Sequence, residues 1–483
     1  GEWRFRLPYT AGAGQGAYIN LYYLSLGHTA RILGLPLSVT FTLARVLGSL
    51  AMVWALYGFF WATLSPGRSR KTAFGLAALG SGLGWLLVPF GAFTSDFWVG
   101  EAYPFLSAYD NPHFPLGLAL ILWLVTPAKT EAGRAPAGVG DPPSFSARSG
   151  NPLRFVAGAF LLSHVSPFGV AAAALALGGL VAWDVWDAFC RRAAWVSVIR
   201  QEAFRRLLWV VIGGAPVLFY AFIAIRSDPV LAEWDAQNLT PSPPWWDVIV
   251  SFSPALIFAI PGALAVFRER RPRSRLLLVW AGLGLMVIAV PVGLQRRFMM
   301  GLYIPLAGLA ALGVAYLSGK KRRRARTLIV VLFLLALPTN LLVLLAGQEG
   351  ARTRAPLFYL RWDEAEALDW IEMNTPDDAL ILAGTQTGLF IPAYTGRRVI
   401  YGHPFETVDA ERQKKAVQTF FQSLPETEAG DLNRSSKFIA AYHPDYIFFG
   451  PREGALGKLP LSTGIELVYD VGGVQIYAVS DAR

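Results

Sequence analysis

The chain has 483 residues, of which 54% are hydrophobic and 16% charged, with a formal net charge of +10. Soluble domains carry about a quarter charged residues, so this composition excludes an ordinary soluble enzyme and describes a polytopic α-helical membrane protein. Cys190 is the single cysteine, which excludes an intramolecular disulfide, a cysteine-built zinc site and a dithiol redox pair.

The chain opens without Met or a signal peptide, in "GEWRFRLPYTAGAGQGAYINLYYLSLG", which reads as the middle of an aromatic, Gly-rich loop. That opening predicts an N-terminal truncation that removed a first helix. Apolar stretches long enough to cross hydrocarbon recur from residue 36 to residue 347, giving about 8–11 transmembrane or re-entrant helices. The basic clusters "GRSRK" (67 to 71), "RERRPRSR" (268 to 275) and "KKRRRAR" (320 to 326) lie between them. Such clusters mark cytoplasmic loops, so nucleic acid is not the expected partner.

With those clusters inside, residues 1 to 35 lie outside, 36 to 64 cross inward and 73 to 92 return. An external loop, "AFTSDFWVGEAYPFLSAYDNPHFP" (92 to 115), precedes a descent over 114 to 127 and a flexible cytoplasmic loop over 128 to 154. Residues 155 to 183 form either one long tilted span or two short helices folded back at "SHVSPFG"; the basic stretch that follows favours the hairpin. The next spans are 208 to 225, 248 to 267, 276 to 293, 298 to 317 and 327 to 347, with "RSDPVLAEWDAQNLTPSPPWWD" as a second external loop.

From residue 348 the composition becomes that of a soluble domain. "DEAEALDWIEMN" reads as a helix, and "ALILAG", "RRVIYG", "DYIFFG" and "VQIYAV" read as strands. The expected domains are therefore a transmembrane domain over 1–347 and a small α/β domain over 348–483, outside a bacterial-type plasma membrane.

Arg296 and Arg297, in "LQRRFMMGLYIPLAG", fall on the external side against the positive-inside tendency. They either snorkel to lipid headgroups or bind a phosphate through planar, permanently charged guanidiniums. Asp96, Glu101 and Asp110 lie on one external loop, interleaved with aromatics. A carboxylate there could serve as general base or hold a divalent cation, Mg or Mn.

Glu101 is the preferred base because its uncharged neighbours would raise its pKa, while Asp110 could cap the next helix or ligate a metal. Arg45, inside an apolar segment, needs a carboxylate or a substrate phosphate as partner, or reaches the outer edge. His113 reads as a hydrogen-bonded structural histidine. Asp228 and Glu233, in the later external loop, are further partners for the arginines. The stretch "TGRRVIYGHPFET" reads as a turn rather than a glycan contact.

The order of "GEAYPFLSAYDNPHFPL", "HVSPFG", "DPVLAEWDAQN" and "QRRFMMGLYIPLA" along a polytopic chain resembles the GT-C superfamily of membrane glycosyltransferases. The protein O-mannosyltransferases of family 39 are among its members. The resemblance implies a GT-C-like helical domain and an inverting cell-envelope transferase that uses a polyprenyl-phosphate sugar donor at the external face. The acceptor would be a glycan, a lipid or a protein. It also gives Glu101 and Asp110 the acidic roles and Arg296 and Arg297 the lipid phosphate. One departure is that Glu2 is the only carboxylate before residue 96, where such enzymes carry an early catalytic acid. The competing expectations are a transporter or flippase for a lipid-linked substrate and an inactive glycan-binding scaffold.

Overall fold

The computed structural model describes residues 2–127, 151–192, 196–199, 201–269, 271–291, 293–422, 428–459 and 464–480. The loop expected over 128–154 lies, up to residue 150, outside the described residues. The chain divides into two compact units. One is Ile19–Tyr220 with Thr240–Ala346; the other is Glu2–Tyr18, Ala221–Leu239 and Gly347–Arg483. The second unit thus takes in two segments expected to belong to the membrane domain.

Among the described residues, four helices are long and apolar enough to span a membrane: Leu37–Thr63, Pro167–Cys190, Glu202–Ser227 and the continuous Arg322–Arg352. Trp245–Phe252 and Ala255–Arg268 together reach the same length but meet at 80°. A single span was expected there; Pro254, which has no N–H to donate, interrupts the helical ladder. Shorter apolar helices occupy His113–Val125, Pro152–Val165 and Tyr303–Ser318. The protein is a polytopic α-helical membrane protein.

Two further expectations are corrected. Residues 73 to 92 are not one span: the helix Arg68–Leu79 stops at Gly80, and three-residue 3-10 turns follow at Gly84–Leu86 and Val88–Phe90. Glycines at 80, 82, 84 and 91 explain why the apolar run does not stay helical. The aromatic opening, expected as loop, contains a helix over Leu21–Leu33.

Within residues 155 to 183 the chain breaks, as "SHVSPFG" suggested. Ser166 is extended, the helix Pro152–Val165 ends before it, and Pro167 begins the next at its first position. That position suits proline, whose missing N–H would have no helical partner there anyway.

The membrane unit is packed through close backbone approaches. A Cβ on Gly262 would lie 1.9 Å from the Leu309 carbonyl oxygen, and one on Gly313 would lie 1.9 Å from that of Phe258. Helices Ala255–Arg268 and Tyr303–Ser318 therefore touch backbone to backbone, which lipid-embedded helices favour because close packing replaces the hydrophobic drive.

The second unit holds a five-stranded sheet ordered β2-β1-β3-β5-β4, with β1 Leu380–Leu382, β2 Arg398–Val399, β3 Tyr446–Phe449, β4 Ile465–Val471 and β5 Val474–Val479. β1 is parallel to β2 and β3, whereas β5 is antiparallel to β3 and β4. Alternation along the strands feeds two cores. Ile381, Phe448 and Ile476 pack with Leu368 and Ile371 of the helix Trp362–Asn374, and Leu382, Ile447 and Tyr477 pack with Val417, Phe420 and Phe421. β4 was not anticipated, although "YDVGGVQI" carries a glycine pair suited to a hairpin turn, Gly472 (φ 64°) and Gly473 (φ 85°).

Candidate functional site

In the membrane unit, the external loop of the sequence reading is a compact string of short turns: Ser95–Phe97, Gly100–Ala102 and the helix Pro104–Tyr109. Arg296 and Arg297 lie on the 3-10 helix Gln295–Met299. The Gly301 amide donates to the Glu101 carbonyl at 2.9 Å, which ties the two loops together. Gly301 sits at φ 69°, where a side chain would be strained. On the other flank, the Arg296 amide donates to the Thr240 carbonyl at 3.1 Å.

Across this junction Arg297 Nη1 lies 3.4 Å from Glu101 Oε1, with the Glu101 side chain 8% exposed and that of Arg297 35%. The uncharged setting expected for Glu101 is therefore not what the fold builds. Arg297 also lies over the Phe168 ring at 5.7 Å, and Arg296 over Trp98 at 5.0 Å; both are cation–π distances. Arg296 Nε is buried and finds no acceptor among the described residues. Burial, opposed by the charge of Glu101, lowers the Arg296 pKa from its usual value. A buried donor without a partner is uncommon and calls for an explanation.

Asp110 stands beside Glu101. A Cβ on Gly100 would meet Asp110 Oδ2 at 2.7 Å. Asp110 keeps a solvent-exposed edge. Its carboxyl is pushed up by burial and then by the charge of Glu101, against the opposing charge of Arg45. The helix-capping role offered for Asp110 is not taken, because Pro112 is the N-cap of His113–Val125 and no side chain caps it. Arg45 Nη1 donates to the Tyr109 carbonyl at 2.9 Å and the Asp110 carbonyl at 3.4 Å. It thus grips the acidic turn. His113 Nδ1 is 2.6 Å from the Tyr23 hydroxyl.

Asp96 is placed elsewhere. It is fully buried, and its oxygens accept from the Gly84 amide and from the hydroxyls of Thr94, Ser251 and Thr339. The single Ser251 hydroxyl proton is shared between Asp96 at 3.2 Å and Asp247 at 2.6 Å, and Asp247 also accepts from the Ser95 amide and hydroxyl. This knot joins the loop to the bent helix pair. Asp96→Leu would leave the Gly84 amide and the Thr94 hydroxyl without an acceptor, whereas Ser251 and Thr339 keep Asp247 and the Gly82 carbonyl; at about 1–3 kcal/mol for each buried unmet donor, a lowered melting temperature in detergent is expected.

Asp228 and Glu233 belong to the second unit. Asp228 caps the helix Pro229–Gln237 through the Val230 and Leu231 amides, and it also accepts from Gln15 and Gly16 at 2.6 and 2.9 Å. Burial pushes its carboxyl up, but these four donors outweigh burial and hold it below the usual range. A depressed carboxyl contributes stability above its unfolded pKa, and that stability is lost as pH falls through the folded value. Asp228→Ala is expected to cost about 2–3 kcal/mol. Hydrogen exchange should report faster amides at Gln15 and Gly16. Glu233 is exposed. In the "TGRRVIYGHPFET" stretch the strand β2 at Arg398–Val399 is followed by a turn in which His403 Nδ1 accepts from the Phe405 and Glu406 amides at 3.2 Å.

The fold thus brings together Glu101, Asp110, Arg45, Arg296 and Arg297, with His113 nearby. Sequence reasoning missed Trp98 and Phe168 as the platforms of the two arginines; their positions inside "FWVG" and "HVSPFG" were the available signal. Among the described residues, no group of three or more His, Cys, Asp or Glu side chains is arranged for a metal ion. Glu101 and Asp110 lie near enough for the charge of Glu101 to raise the Asp110 carboxyl.

No protein-family model matches the chain, and no curated protein matches it. Solved structures do. The oligosaccharyltransferase of Archaeoglobus fulgidus in the apo form is similar over 99% of this chain and 68% of its own, at TM-score 0.53 and 13% identity. The same enzyme tethered by a disulfide to an acceptor peptide containing the NVT sequon is similar over the same shares, at TM-score 0.50 and 15% identity. At this identity the likeness establishes the fold: a GT-C-like helical membrane domain combined with a small five-stranded α/β domain.

Proposed function

We propose that this chain is a membrane glycosyltransferase that moves a sugar or glycan from a lipid-linked phosphate donor, of the polyprenyl type, to an acceptor. The carrying observation is the Arg297–Glu101 pair, which joins the arginine couplet to the acidic loop 196 residues away in the chain. The fold shared with an oligosaccharyltransferase supports the reading. By the positive-inside tendency the site would face the extracytoplasmic side.

In this reading Arg296 and Arg297 hold the donor phosphate, and the buried Arg296 Nε finds its missing acceptor in a phosphate oxygen. Trp98 and Phe168 keep the guanidiniums in place. Asp110 takes the proton from the acceptor's nucleophile, which attacks the anomeric carbon in a single inverting displacement. The bond from that carbon to the phosphate oxygen breaks, and the arginines stabilise the charge left on the lipid phosphate. Glu101 orients Arg297 and raises the basicity of Asp110, and Arg45 holds the Asp110 turn.

The test uses the full chain in proteoliposomes with labelled polyprenyl-phosphate sugars and a panel of glycan, lipid and peptide acceptors. Label is expected to appear on an acceptor, with configuration inverted at the anomeric carbon. Movement of an intact labelled lipid between leaflets, without transfer, would instead establish a flippase and defeat the proposal.

A further inference from the structure

The membrane unit holds a cavity of about 350 Å³ where the end of helix Tyr303–Ser318 meets the starts of Arg68–Leu79 and Arg322–Ala336. Helix Tyr303–Ser318 begins two residues after Gly301 of the arginine site and has 16 residues. At 1.5 Å per residue the cavity therefore lies about 24 Å away along the helix. It is a separate place.

Four cations line it: Arg68, Lys320, Lys321 and Arg322. Among the described residues no acidic side chain pairs with any of them. Both helices that start here lack a side-chain cap and any acidic residue in the first turn. Each start therefore presents free amides and the positive end of its dipole beside like-signed side chains, an arrangement that is unfavourable until an anion is added. Thr72 lines the same cavity and is 7% exposed, and its hydroxyl has no hydrogen-bond partner among the described residues.

The floor is apolar, formed by Ala311, Val314, Ala325 and Ile329. A free phosphate would leave that floor unused, whereas a phospholipid would lay the start of an acyl chain along it. We infer that this cavity binds the phosphate of an anionic membrane phospholipid, with Thr72 and the two helix starts donating to its oxygens and the four cations neutralising its charge. Basic pockets between transmembrane helices are suited to such headgroups.

The experiment places the full chain in nanodiscs of phosphatidylcholine doped with phosphatidylglycerol and reads retained lipid by native mass spectrometry, with inorganic phosphate as competitor. Wild type is expected to retain phosphatidylglycerol about tenfold over phosphatidylcholine, and replacing the four cations with glutamine should abolish the preference. Ala315→Trp, which fills the cavity and keeps the charge, should abolish it as well. Unchanged helical circular dichroism will certify both folds. Equal retention of the two lipids by wild type, or a preference that survives both variants, overturns the inference. Full displacement of the lipid by millimolar inorganic phosphate overturns it in favour of a free-phosphate site.

Discussion

Arg297→Ala should lower kcat/KM for transfer by about 10²–10³-fold, or about 2.7–4 kcal/mol, the range for losing a donor aimed at developing charge. The loss should fall mainly on kcat, because the charge on the departing phosphate grows only as the bond to the sugar breaks. Arg297→Lys keeps the charge but not the planar fork that meets both Glu101 and a phosphate, so its activity should fall between the two. Arg296→Ala should raise KM as well, since its buried Nε has no partner among the described residues and would gain one from the donor. Steady-state kinetics in proteoliposomes, with donor concentration varied, separate the two effects. Unimpaired transfer by both alanine variants would remove the arginines from the reaction.

Asp110→Asn should abolish transfer while leaving donor binding intact, and the pH profile should show why. A general base works only when deprotonated, so the rate should rise with pH as Asp110 loses its proton. Because burial and Glu101 raise that carboxyl above its ordinary 3.8, the acid limb should lie above that of an isolated aspartate. Two variants carry opposite signs. Arg45→Gln removes the opposing positive charge, so the limb should move to higher pH. Glu101→Gln removes the like charge, so the limb should move to lower pH. A limb that stays still in both variants would show that another group takes the proton.

Those expectations depend on contacts of different legibility. That Arg296 and Arg297 are exceptional was readable from their place between two apolar runs, since a charge at a membrane boundary is costly enough to need a reason. The break at Ser166 was readable too, because proline and glycine act on their own backbone. The failure over residues 73 to 92 has the opposite cause: hydropathy records transfer free energy and says little about a helix weakened at Gly80, Gly82 and Gly84.

The chemical environment of the carboxylates was less accessible. Glu101 looked uncharged because its neighbours in sequence are uncharged, but Arg297 reaches it from 196 residues away. Asp96 looked like an exposed acid on the same loop, yet hydroxyls from Ser251 and Thr339 enclose it. Asp228 looked like a partner for the arginines and is instead consumed by amides from residues 15 and 16.

What the sequence by itself determined is therefore whatever follows from local composition. This includes membrane insertion, the helical character of the first unit, the strands β1, β2, β3 and β5, and the suspicion attached to one pair of arginines. The tertiary structure alone decided which of the acids meets those arginines and which is locked in a knot. The reason is physical. Burial and insertion are sums over neighbours along the chain, whereas the proton affinity of a carboxylate depends on charges and donors within a few ångströms, and folding draws those from anywhere in the 483 residues.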